Sequence, residues 1–149
     1  MYLLDANICI DFMHGHLPYA YDLMRSSDPR LFKIPAIVEG ELRLGIVKSK
    51  QPEKTRWLVD EFMLPFEVLP FDSKCAHIYA RIRGELEMTG KVIGPNDLLI
   101  AASALANSAV LVTNNVDEFK RVPGLSIESW YEMTWEELGM GPLAEPERL

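Results

Sequence analysis

Short apolar runs rich in β-branched and aliphatic residues alternate along this chain with longer segments of helical period, and this constrains the fold more than any other feature. Tyr2–Asp5, Leu31–Pro35, Phe66–Pro70, Ala109–Thr113 and Leu125–Trp130 read as strands. Helical segments fall between them: Ile8–Met13, a helix near Tyr19–Ser26 after the break at Gly15 and Pro18, and Ile37–Ser49. Three more open at Pro52, at the N-cap Asp72 and near Asp97, and a short helical turn is expected over Asp117–Arg121. Strands alternating with helices predict βαβ units and the α/β class, with a parallel sheet covered on both faces. The inward faces are expected to carry Val38, Leu42, Gly45 and Ile46 on one helix and Ala76, Tyr79, Ile82 and Leu86 on another. Trp57, Leu58, Phe62 and Met63 lie on the helix between them, where core packing is expected.

At 149 residues with 48% hydrophobic content the chain suits one domain, read here as residues 1–135. The closing stretch, residues 136–149, reads as a loose acidic tail. No apolar run approaches the roughly 18 residues of a membrane span. Met1 leads directly into a strand without a basic or cleavable segment, so a cytoplasmic protein is expected. Cys9 and Cys75 lack CxxC spacing and neighbouring histidines, and are expected to be buried small apolar side chains. His14, His16 and His77 are expected at the surface.

The formal net charge of −7 argues at first against a polyanionic partner. Its distribution weakens that objection, because six of the 22 acids lie from Ser126 onward against only one of the 15 bases. Residues 1–125 are close to balance, and cation-bound carboxylates would tip them towards positive.

Asp5, Glu41, Asp97 and the pair Asp117/Glu118 stand at or beside the ends of apolar segments. Asp5 closes the first strand, where open α/β sheets bind ligands, although aspartate there also serves as an ordinary turn or cap residue. Glu41 borders the buried face of its helix, and a carboxylate there is costly to bury unless paired or metal-bound. Glu39, about 160° away around the helix, reads as a solvated surface residue. Asp97 follows Gly94-Pro95-Asn96 at the start of an alanine-rich helix, where an acid also stabilises the helix dipole by typically 0.3–1 kcal/mol. Ala101, Ala102, Ala104 and Ala106 would let that helix lie close to the sheet. Asn114, Asn115, Asp117 and Glu118 follow the strand ending at Thr113, with Asn115 and Glu118 on one side of a helical turn and Phe119 anchoring it. Oxygen ligands without a His or Cys cluster suit Mg²⁺ or Mn²⁺.

Together, LLDANICI, IVEGELRLGI, GPNDLLIAASALA and LVTNNVDEFKRVPGL, with the closing ESW, resemble in order the PIN domain, and within it the VapC-type ribonuclease toxins of type II toxin–antitoxin pairs. The resemblance spans Tyr2 to about Trp130. It implies a single three-layer α/β/α domain and a metal site of Asp5, Glu41, Asp97 and Glu118, with Mg²⁺ or Mn²⁺ as cofactor. Asn7, Thr113, Asn115 and Asp117 become supporting polar residues, Asp117 and Asn115 being rivals of Glu118 for the fourth position. Two departures are visible: Ala6 stands where the family usually has Ser or Thr, and Glu118 where it more often has Asp.

The implied activity is metal-dependent hydrolysis of phosphodiester bonds in structured RNA, tRNA being favoured, leaving 5′-phosphate and 3′-hydroxyl ends. The implied partners are a VapB-type antitoxin and a second copy of the chain, for which Trp57, Phe62 and Met63 are alternative surface residues. Arg43 and Lys91, close in sequence to Glu41 and to the Asp97 loop, are the bases expected at RNA phosphates. Two rival readings are a non-catalytic PIN-like module binding RNA or protein, and an aspartate-dependent phosphohydrolase with Asp5 as nucleophile. The second usually wants another aspartate two residues on, where this chain has Asn7. A nucleotide-binding domain is disfavoured because no glycine-rich loop follows the first strand.

Overall fold

Residues 1–131 are described by the structure, a computed structural model; the acidic tail expected at residues 136–149 lies outside them. The elements follow the expected alternation: β1 (Tyr2–Leu4), α1 (Ala6–Met13), α2 (Pro18–Ser26), β2 (Phe32–Pro35), α3 (Ala36–Lys48), α4 (Pro52–Met63), β3 (Glu67–Leu69), α5 (Ser73–Met88), α6 (Pro95–Ala106), β4 (Val110–Val112), α7 (Val116–Phe119) and β5 (Ser126–Glu128). Between α2 and β2, a 3₁₀ turn over Pro29–Leu31 is capped by the Asp28 side chain.

All five strands run parallel in the order β3-β2-β1-β4-β5. Strand β1 is central. The chain builds outward from it through β2 and β3, then crosses back to add β4 and β5 on its other side. The order therefore reverses between β1 and β4, and the carboxyl ends of those two strands frame the crevice where such sheets bind ligands. Leu3, Leu4, Ile34, Leu111 and Val112 are fully buried, as strands covered on both faces require. At the β2–β3 edge, Lys33 bonds Glu67 directly opposite it at 2.6 Å.

Helix α6 packs against α5 and contacts α3 and β4, and it buries Leu98, Ile100, Ala101, Ala102, Ser103, Ala104 and Ala106. The alanines permit this close approach, and enlarging one would overpack the contact at roughly 1–3 kcal/mol. Phe119 is fully buried and anchors the four-residue α7. An aromatic cluster of Tyr2, Phe12, Phe32 and Trp130 closes the opposite side, and the Trp130 indole N–H donates to Glu128 at 3.1 Å.

Three core expectations need correction. Ala76 is exposed, because α5 turns its Cys75–Ile82–Leu86 line inward and Ala76 sits 100° off it. Gly45 is exposed for the same reason, flanking the Val38–Leu42–Ile46 line of α3. Trp57 is 62% exposed, since α4 buries Val59, Phe62 and Met63, a face about 140° away from position 57. Both cysteines are buried and the three histidines exposed, as expected. Among the described residues no helix is long and apolar enough to cross a membrane.

Candidate active site

Asp5 follows β1 directly and is the N-cap residue of α1, with 5% of its surface exposed. Its backbone N–H bonds Val112 O of β4 at 3.0 Å, which ties it to the crevice between the two central strands. Both carboxylate oxygens accept hydrogen bonds: Oδ1 from the Ala6 N–H at 2.8 Å, Oδ2 from the Thr113 hydroxyl at 2.7 Å. Thr113, itself fully buried just beyond β4, accepts in turn from the Asn115 N–H at 3.0 Å. The hydroxyl that Ala6 lacks thus has a counterpart on the neighbouring strand.

The Asn115 side chain continues the network, donating to Glu118 Oε2 at 2.7 Å, while Gly94 N–H donates to Glu118 Oε1 at 2.7 Å. Glu118 reaches across from α7 to the N-cap of α6, where Asp97 occupies the first turn. A methyl group on Gly94 would lie 3.6 Å from both Asp97 Oδ2 and Glu118 Oε1, so the two carboxylates converge on that glycine. They also hydrogen-bond each other, which requires a shared proton. Glu41 approaches from α3, where it feels the charge of Asp5 and the Asn96 amide favours its ionised form.

The protonation equilibria record this crowding. Burial pushes Asp97 up to about 7, aided by the charges of Glu118 and Asp5, the bond to Glu118 and the charge of Glu41. Burial also raises Asp5, against the opposing bonds from Thr113 and Ala6, and it raises Glu41 together with the charge of Asp5. Glu118 is lowered, first by the Gly94 N–H and then by Asn115, with Asp97 and the positive charge of Arg121 contributing. Asp5 and Asp97 are each within electrostatic reach of the other three acids, and no basic side chain among the described residues bonds any of the four.

The donor set is all oxygen and fits a hard divalent cation. Among the described residues no three such side chains are already drawn into a ligand cage, because Asp5 and Glu118 spend their oxygens on protein donors and on Asp97. A cation that keeps several of its waters needs only one or two direct carboxylates, with the others acting through those waters. The arrangement fits that mode, in which Asp97 and Glu41 accept no hydrogen bond from a backbone N–H among the described residues.

The remaining expected residues separate. Asn115 and Thr113 join the network, and Glu118 rather than Asp117 faces the other acids, since Asp117 is exposed and makes no side-chain hydrogen bond among the described residues. Asn7 is exposed on α1 and is likewise outside the network. Arg43 turns to α4, bonding Asp60 at 2.6 Å and Glu39 at 3.3 Å. Lys91 is exposed in the loop that leads to Gly94. Two contributors were not singled out from sequence, the Gly94 N–H and the Asn96 side chain. The first is a backbone group with no side-chain signature. The second lay visible beside Asp97 in GPND and could have been found by asking which amide follows the loop proline.

The PIN domain family model matches residues 2–125. Ribonuclease VapC2 of Rickettsia felis is 42% identical over 131 residues, covering 87% of this chain and 98% of that protein. The tRNA(fMet)-specific endonuclease VapC of Salmonella typhimurium is 36% identical over 129 residues, covering 87% and 97%. The crystal structure of DNA-bound VapBC from Salmonella typhimurium superimposes with a TM-score of 0.82 at 36% identity, covering 87% of this chain and 97% of that one. With four acids gathered at the crevice between β1 and β4, and relatives matched over nearly their whole length, the chain belongs to the PIN domain family, in its VapC group.

Proposed function

We propose that this protein is a divalent-metal-dependent endoribonuclease toxin that hydrolyses phosphodiester bonds in tRNA and is held in check by a VapB-type antitoxin. The observation that carries this reading is the convergence of Asp5, Glu41, Asp97 and Glu118 from four separate elements onto one sheet crevice, with Asp97 feeling the charge of the other three. The substrate and partner are supported by relatives named tRNA(fMet)-specific endonuclease and by solved neighbours that are VapBC complexes. The setting is the cytoplasm, and the working form is a homodimer with an exposed apolar surface that includes Trp57.

When bound, Mg²⁺ or Mn²⁺ supplies a more acidic water and stabilises negative charge on the phosphate. The chain's own residues do the positioning. Asp97 and Glu41 would hold the cation, Asp97 in its ionised form. Asp5 is oriented by Thr113 and the Ala6 N–H, whose bonds oppose the effect of its burial. Glu118 is locked by Gly94 and Asn115, so the acids do not have to reorganise when the phosphate arrives. Of the two bases expected at RNA, Lys91 is exposed in the loop leading to Gly94 and makes no ion pair among the described residues, whereas Arg43 is already paired; we assign the phosphate contact to Lys91.

The aspartyl nucleophile of the rival phosphohydrolase is disfavoured, because Asp5 is buried with both oxygens accepting hydrogen bonds. The test is to incubate purified protein with total RNA and map the new 5′ ends. Discrete Mg²⁺-dependent cuts in tRNA, absent with Asp5→Asn or Asp97→Asn, are expected. Unchanged cutting by both variants would overturn the assignment, and a folded wild-type protein that cuts no RNA would favour the non-catalytic binding module.

A further inference from the structure

A second charged region lies next to the acids. Gly90, Lys91, Lys120 and Arg121 line an open cleft of about 460 Å³. Lys91 comes from the loop that delivers Gly94, and Lys120 and Arg121 follow α7, which delivers Glu118. The two regions therefore share both of their supports. Arg121 is fixed, donating from Nη1 to Val92 O at 3.0 Å, and its charge reaches Glu118.

What marks the cleft is that three bases without a carboxylate ion pair line it together. Arg30, Lys33, Arg43, Arg56 and Arg83 each bond a carboxylate. Among the described residues no carboxylate pairs with Lys91, Lys120 or Arg121. Three cations gathered at one cleft repel one another, an arrangement that an anion relieves. Lys91 and Arg121 also border an adjoining hollow of about 320 Å³ with Glu85, Leu86, Met88, Thr89 and Pro123 in its wall. A cationic cleft continuous with a partly apolar hollow matches a nucleotide, which is anionic at its phosphate and flat and apolar at its base.

Resting on the nuclease reading above, we propose that Lys91, Lys120 and Arg121 form a subsite for an RNA backbone phosphate flanking the scissile one, positioning the strand across the acids. Neither lysine acts on the reacting atoms; both are positioning residues. The subsite also accounts for how a protein with a net charge of −7 admits a polyanion, by presenting a local basic track beside the site.

The test uses the full chain with Lys91→Ala/Lys120→Ala, both being exposed positions, and with Lys91→Arg/Lys120→Arg as the conservative control. Binding of a short fluorescent single-stranded RNA is measured by anisotropy in an Asp97→Asn background across a salt series. Cleavage kinetics are measured in the native background. In the alanine pair the RNA Kd and the KM rise roughly tenfold, as for loss of charge-assisted contacts, while kcat is kept. The salt dependence of log K falls by about 0.7, the value for one single-strand phosphate. The arginine pair restores both. Unchanged RNA affinity and salt slope overturn the subsite, as does weakened capture of a VapB-type partner with RNA binding intact. If the wild-type protein cuts nothing yet the alanine pair still loses RNA affinity, the nuclease reading fails and the subsite stands.

Discussion

The acid cluster and the basic cleft rest on the same loop and the same short helix, yet they are built in opposite ways. The acids are wholly or partly buried and tied into a hydrogen-bond network running from Asp5 through Thr113 and Asn115 to Glu118 and Gly94. The cations of the cleft are exposed, and among the described residues only Arg121 has a fixed partner, a backbone carbonyl. The difference teaches where this protein concentrates like charge at a cost. A crowded set of carboxylates persists only where packing dictates their positions, and α6 and Phe119 supply that packing. Surface lysines need no such enforcement, because water screens them.

If that contrast holds, neutralising one acid should destroy function and yet relieve the fold. Asp97→Asn is expected to lower the cleavage rate by roughly 10³-fold or more, while raising the Tm of the metal-free protein. A falling Tm would show that the acids do not strain one another. Thr113→Val probes the network next. It leaves Asp5 Oδ2 and the Asn115 N–H without their partner and should cost about 1–3 kcal/mol in denaturant unfolding, with a loss of roughly 10–100-fold in activity. An unchanged unfolding midpoint would mean that the network is not what holds Asp5.

The pH dependence sharpens the same point. Asp97 binds its proton more tightly folded, near pH 7, than unfolded, near its ordinary 3.8, so the folded state carries the extra proton between those values. Stability from this group is therefore full below about pH 4 and lost as pH rises towards 7. The Tm advantage of Asp97→Asn over wild type, without metal, should grow across that window and level off above it. A constant difference between the two proteins would refute the raised proton affinity. The smallest effect belongs to an exposed, paired cation outside both regions. Arg43→Ala removes its bonds to Asp60 and Glu39 and should cost less than about 1 kcal/mol, with KM for RNA unchanged. A large rise in KM would return Arg43 to the RNA path.

The contrast also explains what could be read from the residues. The order of strands and helices was legible because period and punctuation carry it, and Asp5, Glu41 and Asp97 were legible because a carboxylate bordering an apolar segment is a conflict that invites a reason. Glu118 prevailed over Asp117 through a matter of helical phase around the buried Phe119, which residue types alone left open. The Gly94 N–H was invisible, since every residue but proline has one and only the loop's path aims it. Lys120 and Arg121 passed unnoticed because an exposed base reads like any solvated surface until the fold sets it beside its neighbours. Ala76 and Trp57 were misplaced because an error of one or two residues in helical phase exchanges a buried position for an exposed one.

The central claim is that four acids, distant in the chain, jointly bind one kind of hard cation. Titration of Mn²⁺ into the purified protein, with free ion followed by electron paramagnetic resonance, tests it without reference to catalysis. Saturable binding by the wild type, lost in Asp97→Asn and competed by excess Mg²⁺, is the expected result. Equal uptake by the two proteins, or none by either, would contradict it.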